Sequence, residues 1–146
     1  MKKVITASNY EVIPLDLRTN VRFYTSVDFG SYVPPHWHDA IEILYLQEGE
    51  LKVNTESTSR NLRSGQCTLI QPNKVHSTLC TRPNKAIVFQ IPLLFLEKFV
   101  PASSQLTFQL EETPSQASQP EWNRQKIQIN QFKEKLEQMQ FIMDTE

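Results

Sequence analysis

The stretch from Val33 to Gly49, VPPHWHDAIEILYLQEG, sets two histidines and a glutamate in a run otherwise dominated by strand-forming residues. Side chains alternate between the faces of an extended strand, so His36, His38 and Glu42, all at even positions, point to the same side. Two imidazoles and a carboxylate converging on one face can ligate a metal ion, can line a small-molecule pocket with donors and acceptors, or can simply satisfy one another and water. Pro34 and Pro35 cannot donate to a sheet ladder, which puts this end of the strand at a rim or opening. A rim with convergent histidine and glutamate is where a ligand would enter.

The elements that must hold these residues are strands. From Glu11 to Pro92 the runs EVIPLD, VRFYTSVD, IEILYLQ, LKVNTE, SRNLR, CTLIQP, HSTLCT and KAIVFQI recur, rich in Val, Ile, Thr, Tyr and Phe. Between them lie turn chemistries at Glu48-Gly49, Glu56 to Thr58, Ser64-Gly65, Pro72-Asn73-Lys74 and Arg82-Pro83-Asn84. Short strands at this spacing predict an all-β barrel or double-sheet jelly roll. The run Ile41 to Gln47 is apolar on both faces, so its outer face needs a cover. Candidates are a short helix over PLLFLEKFV, Pro92 to Val100, and a longer helix near the C-terminus.

Residues 101–121 carry Pro, Ser, Gln and Thr, with LTFQL as a last strand before a linker. After Pro120 the sequence turns to Gln, Lys and Glu without further Gly or Pro, and Ile129, Phe132, Leu136, Met139 and Met143 recur at spacings of three and four. That apolar stripe predicts a helix, either docked on its own barrel or forming the seam of a homodimer. The resulting organisation is a barrel over 1–110, a linker over 111–122 and a C-terminal helix over 123–146. The end at Asp144-Thr145-Glu146 has no glycine cap, as expected of a cut within a longer chain.

Composition narrows the function classes. With 15 basic and 16 acidic residues among 146, the net charge is −1, far from the basic footprint that phosphate binding requires. No apolar run approaches the ~18 residues needed to cross a bilayer, so a cytoplasmic protein without membrane contact is expected. Cys67 and Cys80 are too few for a disulfide framework and read as buried thiols.

The spacing Gly30, His36, His38, Glu42, Gly49 matches in full the first motif of the cupin superfamily, G-x5-H-x-H-x3-E-x6-G. Gly65, Pro72 and His76 resemble its second motif, with the proline one residue late, Lys74 in place of a glycine and Cys80 where an Asn is common. The runs HWHDAIEILYLQEGELKV and LRSGQCTLIQPNKVHS further resemble the N-terminal sensor domain of AraC-family transcription regulators, over about residues 20 to 100. The resemblance implies an all-β cupin barrel with one short and one longer helix, binding a small effector, a sugar or other metabolite. It also implies a dimer, and contact with DNA only through a C-terminal helix-turn-helix domain that this chain does not carry.

In enzymatic cupins the positions of His36, His38, Glu42 and His76 carry metal, and three imidazoles with a carboxylate suit Zn, Ni, Mn or Fe. No cofactor is certain from the sequence. The regulator relatives imply instead that the same four residues bind the effector, with Tyr24 and Phe89 available to stack on it. Trp37 is expected to pack on a covering element, Trp122 to anchor the last helix, and the opening MKKVITASNYEVIPLDLR to form an arm over the barrel mouth. The expected function is a non-enzymatic effector-sensing and dimerisation domain. The alternatives are a stand-alone metal-dependent cupin enzyme of dioxygenase or isomerase type, and a bare dimerisation module.

Overall fold

A computed structural model of the chain describes residues 4–5, 9–110 and 120–145, with side chains for 9–110 and 126–145. The linker expected from 111 lies, as far as 119, outside these residues, as do most of the opening eight and the side chain of Trp122. The chain divides into two compact units, Met1–Phe108 and Gln109–Glu146.

The first unit is built on two long strands. In chain order it contains β1 (Val4–Ile5), β2 (Glu11–Val12), β3 (Arg22–Asp28), β4 (Tyr32–His36), β5 (Ala40–Thr55), β6 (Ser59–Arg63), β7 (Cys67–Ile70), β8 (His76–Pro92), a short helix α1 (Leu93–Leu96) and a 3-10 turn (Ser103–Gln105). β5 and β8 pair antiparallel from Ala40↔Pro92 to Thr55↔His76. Along β8 the second half also pairs with β3 and the first half with β4. Along β5 the first half pairs with β7 and the second with β6. The two long strands thus each serve two four-stranded layers, which is how a jelly roll closes.

Four of the runs that read as separate strands in the sequence are therefore halves of β5 and β8. The turn chemistry expected at Glu48-Gly49 and at Arg82-Pro83-Asn84 is used for bends within continuous strands, and the two bends face each other. The register slips between Leu46 and Glu48, Glu48 and Glu50, and Glu50 and Lys52, the bulges that let a paired ribbon turn a corner. Gly49 has φ +84°, and a Cβ there would lie 2.1 Å from the Pro83 carbonyl oxygen. Asn84 finishes the corner by donating from Nδ2 to the Glu50 carbonyl (3.0 Å) and to Cys80 Sγ (3.2 Å), and is itself buried. Cys67 and Cys80 are buried thiols that form no disulfide. Burial, then the charge of Asp28, pushes the Cys80 thiol up from its ordinary range.

Leu44, Leu46, Leu51, Val53, Leu62, Ile70, Ala86 and Val88 fill the space between the layers, with Tyr24 packed against them. Ile41, Ile43, Tyr45 and Ile87 on the other face of β5 and β8 are also buried, as a strand apolar on both sides requires. α1 forms where the sequence placed it and is tied by Leu93 N–H to the Asp39 carbonyl (3.0 Å), but it buries none of its residues and does not supply that cover. LTFQL forms no regular strand. Gln71 takes over the pairing there, its side-chain amide accepting from Phe108 N–H (3.1 Å) and donating to the Phe108 carbonyl.

In the second unit α2 runs Pro120–Asp144. Leu136 and Gln140 are buried, Ile129, Phe132 and Met139 half-buried, and Ile127, Phe141, Ile142 and Met143 exposed. Thr145 Oγ donates back to the Phe141 and Ile142 carbonyls (3.0 Å each) and closes the helix without a glycine. Among the described residues no helix is long and apolar enough to cross a membrane.

The corner at Gly49 yields a paired prediction. Gly65 also has a positive φ, +87°, but a Cβ added there would meet nothing within 4 Å. Gly65→Ala should cost only the backbone strain, about 1 kcal/mol. Gly49→Ala must in addition push the Pro83 segment away and should cost more than about 3 kcal/mol. Urea denaturation of both variants checks this; equal losses would mean the close approach is unimportant.

Candidate functional site

Three local structures deliver the histidines. β4 ends at His36, whose direct cross-strand partner is His76, the first residue of β8. His38 sits in the short link before β5, and that link is held from below by Asn73 N–H donating to the His38 carbonyl (2.7 Å). Asn73 adopts φ +63°, a left-handed turn position that asparagine tolerates. The Pro72-Asn73-Lys74 turn thereby positions both His38 and His76. The ring centroid of His76 lies 4.3 Å from that of His36 and 5.0 Å from that of His38.

Each imidazole is oriented by the same device. Nδ1 of His36 lies 2.8 Å from the Pro34 carbonyl, Nδ1 of His38 3.1 Å from the Ala40 carbonyl, and Nδ1 of His76 2.9 Å from the Lys74 carbonyl. A carbonyl only accepts, so each Nδ1 carries a proton and donates; in the neutral form of the ring Nε2 is then the unprotonated nitrogen. One ligand nitrogen from each of the three rings lies within 4.8 Å of the other two. His36, His38 and His76 are all buried, with 1, 1 and 2 % exposure.

Two buried carboxylates border this trio. Glu42 Oε2 lies 2.8 Å from His38 Nε2 and 3.6 Å from His76 Nε2, and accepts a hydrogen bond from Gln90 Nε2 (2.9 Å). At the other end Glu11 Oε2 lies 3.1 Å from His36 Nε2, with neither side chain more than 2 % exposed. His76 Nε2 has no hydrogen-bond partner among the described residues. With Nδ1–H committed to backbone, a lone pair facing a carboxylate is a contact between two acceptors. It becomes attractive only when a proton or a cation stands between them.

With all three imidazoles neutral and both carboxylates ionised, the cluster would carry a charge of −2, which burial penalises heavily unless it is compensated. Two added protons, or one divalent ion, would compensate it. Two donors each ~2.0–2.2 Å from one ion stand about 3.0 to 3.5 Å apart in octahedral or tetrahedral arrangements. The observed contacts of 2.8, 3.1 and 3.6 Å bracket that spacing. The donor set, nitrogen with carboxylate oxygen, suits first-row metals, and the carbonyl-anchored Nδ1–H groups are the outer support such ligands use. These histidines could hold a metal.

The structure brings His36, His38, Glu42 and His76 together as the motif implied. Tyr24 stands on the same face of the sheet system, opposite Val88, with the Arg22 guanidinium 4.1 Å above its ring. Phe89, expected beside the ligand, is turned away. Glu42 pairs with Gln90, so Gln90 shares its face, while Phe89 pairs with Ile43 and Phe23 and packs edge-on against the Phe23 ring at 5.4 Å. Trp37 packs on Tyr10, ring centroids 4.7 Å apart.

Three participants escape a reading of the sequence: Glu11, Gln90 and Arg22. Gln90 and Arg22 are direct partners across β3 and β8, and Gln90 Oε1 and Arg22 Nη1 are buried without a hydrogen-bond partner among the described residues. A cleft of about 340 Å³ is lined by Tyr10, Val12, Asp39, Phe95 and Lys98 among others, and by none of the three histidines. Burial, then the charge of Asp39, raises the Tyr10 phenol above its usual range.

Residues 24–79 match the family described as AraC-like ligand binding domain. That segment makes up less than half of the chain. It spans β3 to the first part of β8 and contains His36, His38, Glu42 and His76, but neither Glu11 nor Gln90. Among solved structures, a cupin superfamily protein from Desulfitobacterium hafniense is 12 % identical, with a TM-score of 0.50 over 55 % of this chain and 74 % of its own. A cupin domain from Schizosaccharomyces pombe is 9 % identical, with a TM-score of 0.50 over 59 % of this chain and 66 % of its own. At those identities the likeness concerns the fold, a cupin barrel. A DMSP lyase from Ruegeria pomeroyi is 28 % identical over 51 % of this chain and 40 % of its own, but its TM-score of 0.46 is too low to bear on activity. No curated protein gives a significant match.

Gln90 offers a direct check on the electrostatics. Gln90→Leu keeps the bulk and removes an amide that donates to Glu42, leaving a buried carboxylate with one donor fewer. The expected loss is about 1–3 kcal/mol in a denaturant titration. A neutral result would show that the Glu42 contacts to histidine suffice.

Proposed function

We propose that this domain is the effector-sensing part of an AraC-type transcription regulator, and that its site is built around a divalent transition metal held by His36, His38, His76 and Glu42. The observation that carries the metal is the commitment of all three Nδ1–H groups to backbone carbonyls, which turns three Nε2 atoms toward one another and toward carboxylates. The family match supports the small-molecule role. A bound ion would supply Lewis acidity and an open position for an oxygen of the effector.

The protein's own groups would do the rest. Arg22 Nη1 and Gln90 Oε1 offer a buried donor and acceptor to a polar effector group. The cleft lined by Tyr10 pairs apolar walls, Val12 and Phe95, with the charges of Asp39 and Lys98, a lining that fits a small amphipathic metabolite. An effector would alter how an attached DNA reader is presented only through different affinity for two arrangements of the chain.

Elemental analysis of protein purified without chelator tests the metal. A stoichiometric first-row metal in the wild type that is lost in His76→Ala is the expected outcome. Sensing is tested separately by thermal unfolding against a panel of sugars, polyols and hydroxy acids, where an effector at ~100 times its Kd adds about 2.7 kcal/mol. A metal-free protein that a metabolite still stabilises would overturn the metal and keep the sensor.

The completeness of the three-histidine, one-glutamate set also favours a second reading, a metal-dependent enzyme. Incubating the metal-loaded protein with each stabilising metabolite and following the mixture chromatographically separates the two. A sensor returns its ligand unchanged, and turnover would establish the enzyme.

A further inference from the structure

The cleft lined by Tyr10 shares no lining residue with the histidine cluster, and its two walls come from distant parts of the chain. One wall is the segment that starts at Tyr10 and carries Val12, and Asp16 N–H closes its far end by donating to the Val21 carbonyl (3.0 Å). The other wall is α1, tied to the barrel by Leu93 N–H at the Asp39 carbonyl (3.0 Å). Neither wall is covered by protein. Val12 and Leu94 are exposed, and α1 buries none of its residues. Apolar side chains that line a concave space and still face water gain from receiving an apolar body.

Two opposite charges stand in the same cleft, on Asp39 and on Lys98. Among the described residues they form no ion pair with each other. Lys98 Nζ lies 6.0 Å from the centroid of the Phe95 ring, at the edge of cation–π reach, which keeps the cation beside the apolar wall. This lining discriminates by charge. An apolar acid would gain Lys98 and meet the like charge of Asp39, and an apolar amine would meet the reverse. A molecule with both an ammonium and a carboxylate gives each side chain a partner while its apolar body covers the walls. The volume, about 340 Å³, is at the small end of ligand pockets. We infer that the cleft is a second small-molecule site, one that takes a zwitterion of amino-acid size with an apolar or aromatic side chain. The inference rests on the reading of the cleft as a place for a small amphipathic metabolite, and not on what the histidines hold. Asp39 follows His38 in the chain, and Tyr10 is bridged to Trp37, so the occupant borders the link that carries His38.

The test titrates the whole chain calorimetrically, with and without chelator, using phenylalanine and leucine. The same titration is made with 3-phenylpropanoate and 4-methylpentanoate, which lack the ammonium, and with phenethylamine and isopentylamine, which lack the carboxylate. At least one of the amino acids should bind, about tenfold or more tightly than its own acid and amine analogues, and equally in both buffers. Asp39→Asn should weaken that amino acid about tenfold and leave its acid analogue no weaker, and Lys98→Met should do the same relative to the amine. In hydrogen exchange, the Leu93 amide, bonded to the Asp39 carbonyl, should slow when the amino acid is added. Binding that chelator abolishes would place the ligand on the histidine cluster and overturn the inference. An acid or an amine that binds as tightly as the amino acid would overturn it as well. Affinity unchanged in both variants, or no binding by either amino acid, would overturn it while leaving the sensor to the wider metabolite panel.

Discussion

The ladder between β5 and β8 is the constraint on which the rest depends. It runs unbroken in topology from Ala40↔Pro92 to Thr55↔His76, and β3, β4, β6 and β7 each pair with one or the other of its strands. A ribbon of that length can serve two layers only if it bends. Both strands bend at one place, where Gly49 lets the Pro83 carbonyl approach closer than any side chain would allow. The bend sets Glu42 and Gln90 in one half of the ribbon and His76 at the far end of the other, so that folding the layers together closes a polar cluster. The site is therefore a product of the corner as much as of the residues in it.

A second constraint is electrostatic. Eight buried apolar side chains fill the interior from Leu44 to Val88, and at its end five ionisable groups are excluded from water as thoroughly as the core. Such a cluster is tolerated only when each polar atom has a partner of the right kind. The backbone carbonyls of Pro34, Lys74 and Ala40 satisfy the outer nitrogens, and Gln90 satisfies part of Glu42. On the inner side, Nε2 of His38 and of His36 each face a carboxylate oxygen, at 2.8 and 3.1 Å.

Alternation along one strand is enough to read His36, His38 and Glu42 onto a common face, because all three lie within a few residues and the parity of a strand is local. The strand runs themselves are legible from composition for the same reason. Other features depend on which strand lies beside which. The residues 88, 89 and 90 alternate in either phase with equal plausibility, and only the register Glu42↔Gln90 decides that Gln90 faces the cluster and Phe89 faces Phe23. Glu11 joins through a parallel bridge to Trp37 from a segment with no strand pattern worth the name. The corner reads as two turns in the sequence because Gly, Pro and Asn serve turns and bulges with the same dihedral freedom. LTFQL has the composition of a strand, and there the side chain of Gln71 stands in for the neighbour that a strand would need.

The distribution of these residues says where the individuality of the chain lies. The segment matching the AraC-like ligand-binding family supplies three histidines and Glu42, on β4, β5, β8 and the link between the first two. Glu11, Gln90 and the partly exposed Arg22 all lie outside it, before or after. They nonetheless reach the cluster or the face beside it, since β3 pairs with the last half of β8 and the segment 9–12 pairs with the histidine link. Three histidines on that frame stand close enough together to hold an ion. A second carboxylate, an amide bound to Glu42 and a guanidinium held over Tyr24 change the charge and the hydrogen-bonding capacity of the space around them without touching that frame. Selectivity for an effector needs buried polar groups that one ligand satisfies and another leaves unpaired, an asymmetry far larger than apolar contacts provide. In this chain buried polar groups of that kind, Gln90 Oε1 and Arg22 Nη1, come from the flanks of the matched segment.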